Sequence, residues 1–278
     1  MGSHRRKQTE PGPELNVKLK PVRSLLCIPF VVLPAFVLAQ KPSDWRKSTL
    51  APLDFAKRVD GGLLNLKGAL GEAVLTARFF DGAQGRAKLV NRIRDRKTFR
   101  VEFVRIDSKA SDPFLGQVMV GKAGRVHLVT STIGPKLLPA GANPKFQPAN
   151  LSVVQAYPQH FTQLMFEPYV TGKSRYLPFV QALLKGDGGY SVKMESRTMQ
   201  GGGVTIPQVR LFATRTPAAA KKLGGSTIEI VTDTTMWLPL QIRVTQTDLR
   251  GRNARYDWVS LWKGPYRFED KWFKTPSK

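Results

Sequence analysis

The sequence predicts a mostly β protein with a few helices, built as an antiparallel, unclosed β-barrel or strongly curved sheet under a helical lid. Three observations carry this. Apolar residues alternate with period two through two blocks, about 72–130 and 190–262. The runs are joined by short turn-forming stretches such as Asp81-Gly82 and Asp248-Leu249-Arg250-Gly251, too short for parallel crossovers. Helical patterns precede the first block and separate the two, and a twisted sheet of many strands curls, so that mid-chain helices cover its concave face.

The N-terminus reads as a signal peptide over residues 1–39. Arg5, Arg6, Lys7, Lys18, Lys20 and Arg23 precede an uncharged run, 24–39, that contains Leu25, Leu26, Ile28, Phe30, Val31, Val32 and Leu33. Val37-Leu38-Ala39 places cleavage between Ala39 and Gln40, and a periplasmic location follows. The alternative is an uncleaved anchor in the inner membrane, although 16 uncharged residues broken by Pro29 and Pro34 are short for a span. Cys27, the single cysteine, lies in this segment, so the exported part has no disulfide and no thiolate metal site. Residues 40–50 read as a polar linker, 51–265 as the half-barrel domain, and 266–278 as a mobile charged tail.

Within the domain, Leu53, Phe55, Ala56, Val59, Leu63, Leu64, Leu66 and Leu70 fall near helical spacing behind Pro52, predicting an amphipathic helix weakened by Gly61-Gly62. Strands follow at 72–80, 86–94, 98–107, 116–120 and 125–130. Residues 134–150, with four prolines and two glycines, predict a loop. Two short helices are expected over 151–166 and 176–184, separated by Pro168 and Gly172. The β pattern returns at 190–197, 204–213, 226–232, 237–247 and 254–262. In the fourth of these, Leu238, Leu240, Ile242 and Val244 are set on one face and Gln241, Arg243, Thr245 and Thr247 on the other.

The segment Ile228-Glu229-Ile230-Val231-Thr232-Asp233, then Trp237-Leu238-Pro239-Leu240-Gln241-Ile242, then Thr247-Asp248-Leu249-Arg250-Gly251-Arg252 resembles the "strand, Asp, leucine-proline, strand, Asp-x-x-Gly" ending of the LolA-like superfamily. That superfamily contains periplasmic lipoprotein carriers and outer-membrane lipoprotein-sorting proteins. The resemblance implies an unclosed barrel whose apolar hollow, covered by helices, holds acyl chains.

The aromatic and aliphatic strand faces fit that expectation. Phe79, Phe99, Phe103, Trp237, Leu240, Ile242, Trp258 and Trp262 are ordinary core in a filled barrel and line a lipid pocket in a wide one. The chain carries 44 Lys and Arg against 20 acids; six of those cations and two of those acids lie in residues 1–39, leaving +20 on the remainder. Such charge attracts anionic surfaces, and Arg92, Arg94, Arg96, Lys97 and Arg100 are the expected docking cations. His127 and His160 lack metal-ligand spacing, and neither a Gly-x-Ser-x-Gly elbow nor a phosphate loop occurs. The expected function is therefore non-enzymatic, with no metal and no cofactor: a monomeric carrier of a lipid or lipoprotein acyl chain that docks to anionic membranes. Nucleic acid is not an expected partner. The alternative is a regulatory or interaction protein with a filled core that binds an envelope protein or acidic polymer.

Overall fold

Phe55, Ala56, Val59 and Leu63 recur at three- and four-residue intervals, and in the computed structural model they form the fully buried face of helix α1 (Pro52–Leu64). The structure describes residues 44–105, 118–122, 125–129, 135–137, 163–186, 188–201 and 204–274. The signal segment, its Ala39/Gln40 cleavage site and His160 lie outside these. Pro52 occupies the first turn of α1, and both glycines are accommodated within the helix, which ends at Leu64 rather than at residue 70.

Among the described residues, a single antiparallel sheet makes up the rest of the framework. Its strands are β1 (Arg46–Lys47), β2 (Ala69–Arg78), β3 (Gln84–Asp95), β4 (Thr98–Arg105), β5 (Val118–Lys122), β6 (Arg125–Val129), β7 (Pro135–Leu137), β8 (Tyr190–Gly201), β9 (Val204–Arg215), β10 (Gly225–Asp233), β11 (Pro239–Thr247) and β12 (Asn253–Lys263). They run β1-β8-β9-β10-β11-β12-β2-β3-β4-β5-β6-β7 across the sheet, so the barrel stays unclosed. The second strand block thus joins the first through one long-range seam, β12 against β2, with Trp258 opposite Leu75. Alternation decides the faces: Leu75 and Ala77 of β2, Phe99 and Phe103 of β4, and Tyr256 and Trp258 of β12 all point to the concave side and are buried.

Helices cover that concave side. α2 (Glu167–Thr171) and α3 (Tyr176–Leu184) pack against α1, and α3 buries Tyr176, Phe179, Val180 and Leu183. α3 has the predicted bounds. Of the helix expected at 151–166, only the last four residues are described, and 163–165 form a single 3₁₀ turn. Pro168, read as a break, instead sits in the first turn of α2, where its missing N–H costs nothing. A further helix, α4 (Pro217–Leu223), starts behind the Thr216 cap and ends at Gly224, whose φ is 80°.

Both chain segments flanking the domain differ from expectation. Within the predicted linker, Arg46 and Lys47 pair with Ser196 and Glu195 on the edge of β8, and the Trp45 ring lies 4.2 Å from Arg197 and 4.4 Å from Arg210. The stretch from residue 266, expected to be mobile, is pinned by a 3₁₀ helix, Asp270–Phe273, packed on β4 and β5. Charge suggested solvation, but Phe268 and Phe273 meet edge to face at 5.9 Å, and Phe273 is only 2% exposed.

Candidate functional site: the helix-covered concave face

Four of the eight predicted pocket residues, Phe99, Phe103, Ile242 and Trp258, are fully buried in one cluster with Phe55 and Leu63 of α1. Phe103 meets Phe166 edge to face at 5.1 Å, joining β4 to the turn before α2. Phe79, Trp237 and Trp262 are partly buried against this cluster, and Phe79 packs edge to face on Tyr256 at 5.7 Å. Leu240 is different. A bulge pairs Val231 with Gln241 and Thr232 with Pro239, which leaves Leu240 unpaired and only partly buried, outside the cluster. The strict alternation that placed it beside Ile242 fails at that point.

Two aromatic rings close over glycines directly across the ladder. Trp262 lies on Gly71 and donates its indole N–H to the Pro239 carbonyl at 3.0 Å, and Phe99 lies on Gly121. Each glycine makes room for a ring that a side chain would displace. Trp237 adopts the left-handed conformation, with φ of 57°, at the turn where α1 meets the sheet, and Arg58 of α1 stacks 4.9 Å from its ring.

The residues behind the LolA-like resemblance are turn-fixing. The Asp233 carboxylate accepts from the backbone N–H groups of Thr235, Met236 and Leu238 at 2.9, 2.5 and 3.2 Å. Asp248 accepts from Arg250 and Arg252 N–H, each at 2.9 Å, and from the Arg252 guanidinium at 2.7 Å.

A polar cluster holds the helices together. Asp60, buried on α1, accepts from the backbone N–H groups of Arg175, Tyr176 and Leu177 at 2.8, 3.0 and 2.9 Å, so a carboxylate from one helix caps another. Burial raises its pKa, and the three N–H bonds together with Arg175 pull the other way. Glu167 of α2 is wholly buried and forms an ion pair with Arg175; desolvation nonetheless pushes its carboxyl up to about 7. The Tyr176 hydroxyl and the Trp258 indole N–H are buried without a hydrogen-bond partner among the described residues. No local spacing announced this cluster: Asp60 and Glu167 are isolated in sequence and meet only through packing.

The predicted docking cations are spread over different tasks. Arg92 pairs with Glu102 and stacks 4.6 Å from Trp272. Arg94 donates to the Phe268 carbonyl at 2.7 Å, pairs with Asp270 at 2.7 Å, and lies 4.8 Å from the Phe273 ring. Arg100 pairs with Glu102 at 2.6 Å and donates to the Lys274 carbonyl at 3.1 Å. These three hold the C-terminal segment against the convex face and are not a free cationic surface. Arg96 reaches Gly172, and Lys97 stays exposed beside a cavity of about 430 Å³ that Arg94, Lys122 and Phe273 also line.

This geometry defines a class: an open antiparallel half-barrel with helices latched over its apolar face. No family model matches the chain, and no curated protein matches it. Among solved structures, it is similar to the MucA/MucB complex of Pseudomonas aeruginosa, with a TM-score of 0.37, 13% identity, and coverage of 79% of this chain and 59% of that one. It is also similar to a LolA superfamily protein from Nitrosomonas europaea, with a TM-score of 0.31, 10% identity, and coverage of 81% and 98%. A third is LprF from Mycobacterium bovis, with a TM-score of 0.28, 8% identity, and coverage of 78% and 97%. The chain thus spans 59% of the length of the first of these.

Proposed function

We propose that this protein is a non-catalytic binding protein of the bacterial envelope, exported to the periplasm, that holds the acyl chain of a lipid or lipoprotein on the apolar concave face of its half-barrel. The observation that carries this reading is the construction of the cover: α1 and α3 close an unclosed sheet through side-chain packing and the Asp60 cap, without a covalent tie. Lifting such a cover exposes aromatic and aliphatic surface, and each methylene of an acyl chain buried there contributes about 0.8 kcal/mol. No catalytic group is required for this role.

A second reading is favoured by the packing itself. Phe99, Phe103, Ile242 and Trp258 are already covered by α1 and its neighbours, as expected of a filled core in a regulatory protein that binds an envelope partner through its surface. Native mass spectrometry of the purified protein, with lipid extraction, separates the two. A stoichiometric acylated molecule supports the carrier; a ligand-free mass that also rejects added lipids overturns it in favour of partner binding. A folded Phe103→Asp variant should lose lipid binding, and unchanged binding would count against the concave face.

A further inference from the structure

α4 buries none of its seven residues, so the core gives no reason for it. Yet it is firmly placed. The buried Arg215 guanidinium donates to the carbonyls of Gly188, Leu223 and Gly224 at 3.2, 2.9 and 2.8 Å, tying the loop before β8 to the end of α4. Thr216 N–H donates to the Gly189 carbonyl at 2.8 Å, and Gly224, at positive φ, sits where any side chain would collide with the backbone of Thr247. α4 is thereby fixed beside the β11–β12 hairpin, whose tip Asp248 rigidifies through its bonds to Arg250 and Arg252.

What this scaffold presents is two leucines held outward. Leu249 is 70% exposed and Leu223 57%, the two most exposed large apolar residues among the described residues. Lys221, Lys222 and Arg250 flank them, all exposed and in no ion pair among the described residues. The only acid in either loop, Asp248, is already paired with Arg252.

We propose that this end of the barrel docks on an anionic lipid bilayer, with Leu223 and Leu249 entering the headgroup region while Lys221, Lys222 and Arg250 meet lipid phosphates. Apolar tips that protrude suit a soft interface, which closes around them, and basic flanks match its charge. The proposal deepens the reading of the chain as an envelope protein and does not depend on what the interior holds. It also places docking at the opposite end of the strands from the β3–β4 turn, where Arg96 and Lys97 lie.

The test uses the full chain with Cys27→Ser and one introduced cysteine, Leu249→Cys or Met236→Cys, carrying an environment-sensitive fluorophore. Met236 is exposed at the other end of the strands, in the β10–β11 turn. Mixed phosphatidylglycerol–phosphatidylcholine vesicles should blue-shift the probe at 249 and leave that at 236 unmoved, and pure phosphatidylcholine should shift neither. Adding Lys221→Glu, Lys222→Glu and Arg250→Glu together should raise the half-saturating lipid concentration roughly a hundredfold, about fivefold per cation. Equal shifts at both positions, no shift at 249, or a shift produced by soluble polyglutamate and not by vesicles would each overturn the proposal, the last in favour of an acidic protein partner. Because the readout follows position 249 and not bound lipid cargo, its failure is distinct from failure of the carrier reading.

Discussion

The carboxylate of Asp60 accepts the backbone N–H of Tyr176 at 3.0 Å across 116 positions of sequence, so the first helix of the domain caps the helix that lies beside it. Two further N–H groups share that carboxylate. Asp60→Ala would leave three buried or half-buried donors unsatisfied and should cost about 2–3 kcal/mol, read as a lowered urea midpoint. Asp60→Asn, which keeps one acceptor, should cost less. Equal stability of Asp60→Ala and the parent would remove the cap from the account of how the helices are held.

Glu167 makes stability depend on pH with a defined sign. Its folded pKa, about 7, stands above the ordinary value of 4.5, so the folded state binds the proton more tightly than the unfolded chain. The associated stability is present in full below the ordinary pKa and is lost as pH rises through about 7. Asp60, also raised by burial, contributes with the same sign. The parent should be less stable at about pH 8 than at about pH 5 by on the order of 2–3 kcal/mol, and Glu167→Gln should flatten most of that slope. An unchanged slope in the variant would assign the titration elsewhere.

The two adjacent glycines of α1 should respond to alanine with opposite signs. A Cβ on Gly61 meets nothing within 4 Å, so Gly61→Ala should stabilise by about 0.5–1 kcal/mol through helix propensity and a less flexible unfolded chain. On Gly62 it would come to 2.5 Å from the Met236 carbonyl oxygen and 2.7 Å from that of Trp237, both backbone atoms in a constrained turn. Gly62→Ala should therefore destabilise by about 1–3 kcal/mol. Paired thermal melts of the two variants check this directly.

The C-terminal segment should behave as part of the fold. Phe273→Ala removes a side chain that is 2% exposed and lies against Arg94, and should cost about 3 kcal/mol. Trypsin should then cut at Lys271 faster in the variant than in the parent, as followed by mass spectrometry. Equal cleavage rates would mean that the segment is not held by this contact.

Much of the framework was legible because it rests on local chemistry. The period-two runs located the strands, and Asp248-Leu249-Arg250-Gly251 announced a turn whose bonds the structure supplies. Concave-face residues such as Phe99, Phe103, Ile242 and Trp258 were identified because alternation alone fixes the face. Leu240 was misplaced because a bulge, which depends on the partner strand, interrupts that alternation. α4 left a readable signal, Thr216 before it, Pro217 at its first position and Gly224-Gly225 after it, a capping pattern independent of any apolar stripe.

The sequence by itself determined the class of fold, an antiparallel and unclosed sheet with helices, because side-chain period and turn chemistry act over a few residues. Only the tertiary structure decided which charges are spent on holding the molecule together. Arg92, Arg94 and Arg100 read as a docking surface along the chain, and become ties to a segment more than 160 positions away once the sheet brings them under it. Asp60 and Glu167 likewise acquire their roles from helices that meet only in three dimensions. A charge has no partner until packing supplies one, and no local pattern records which it will be.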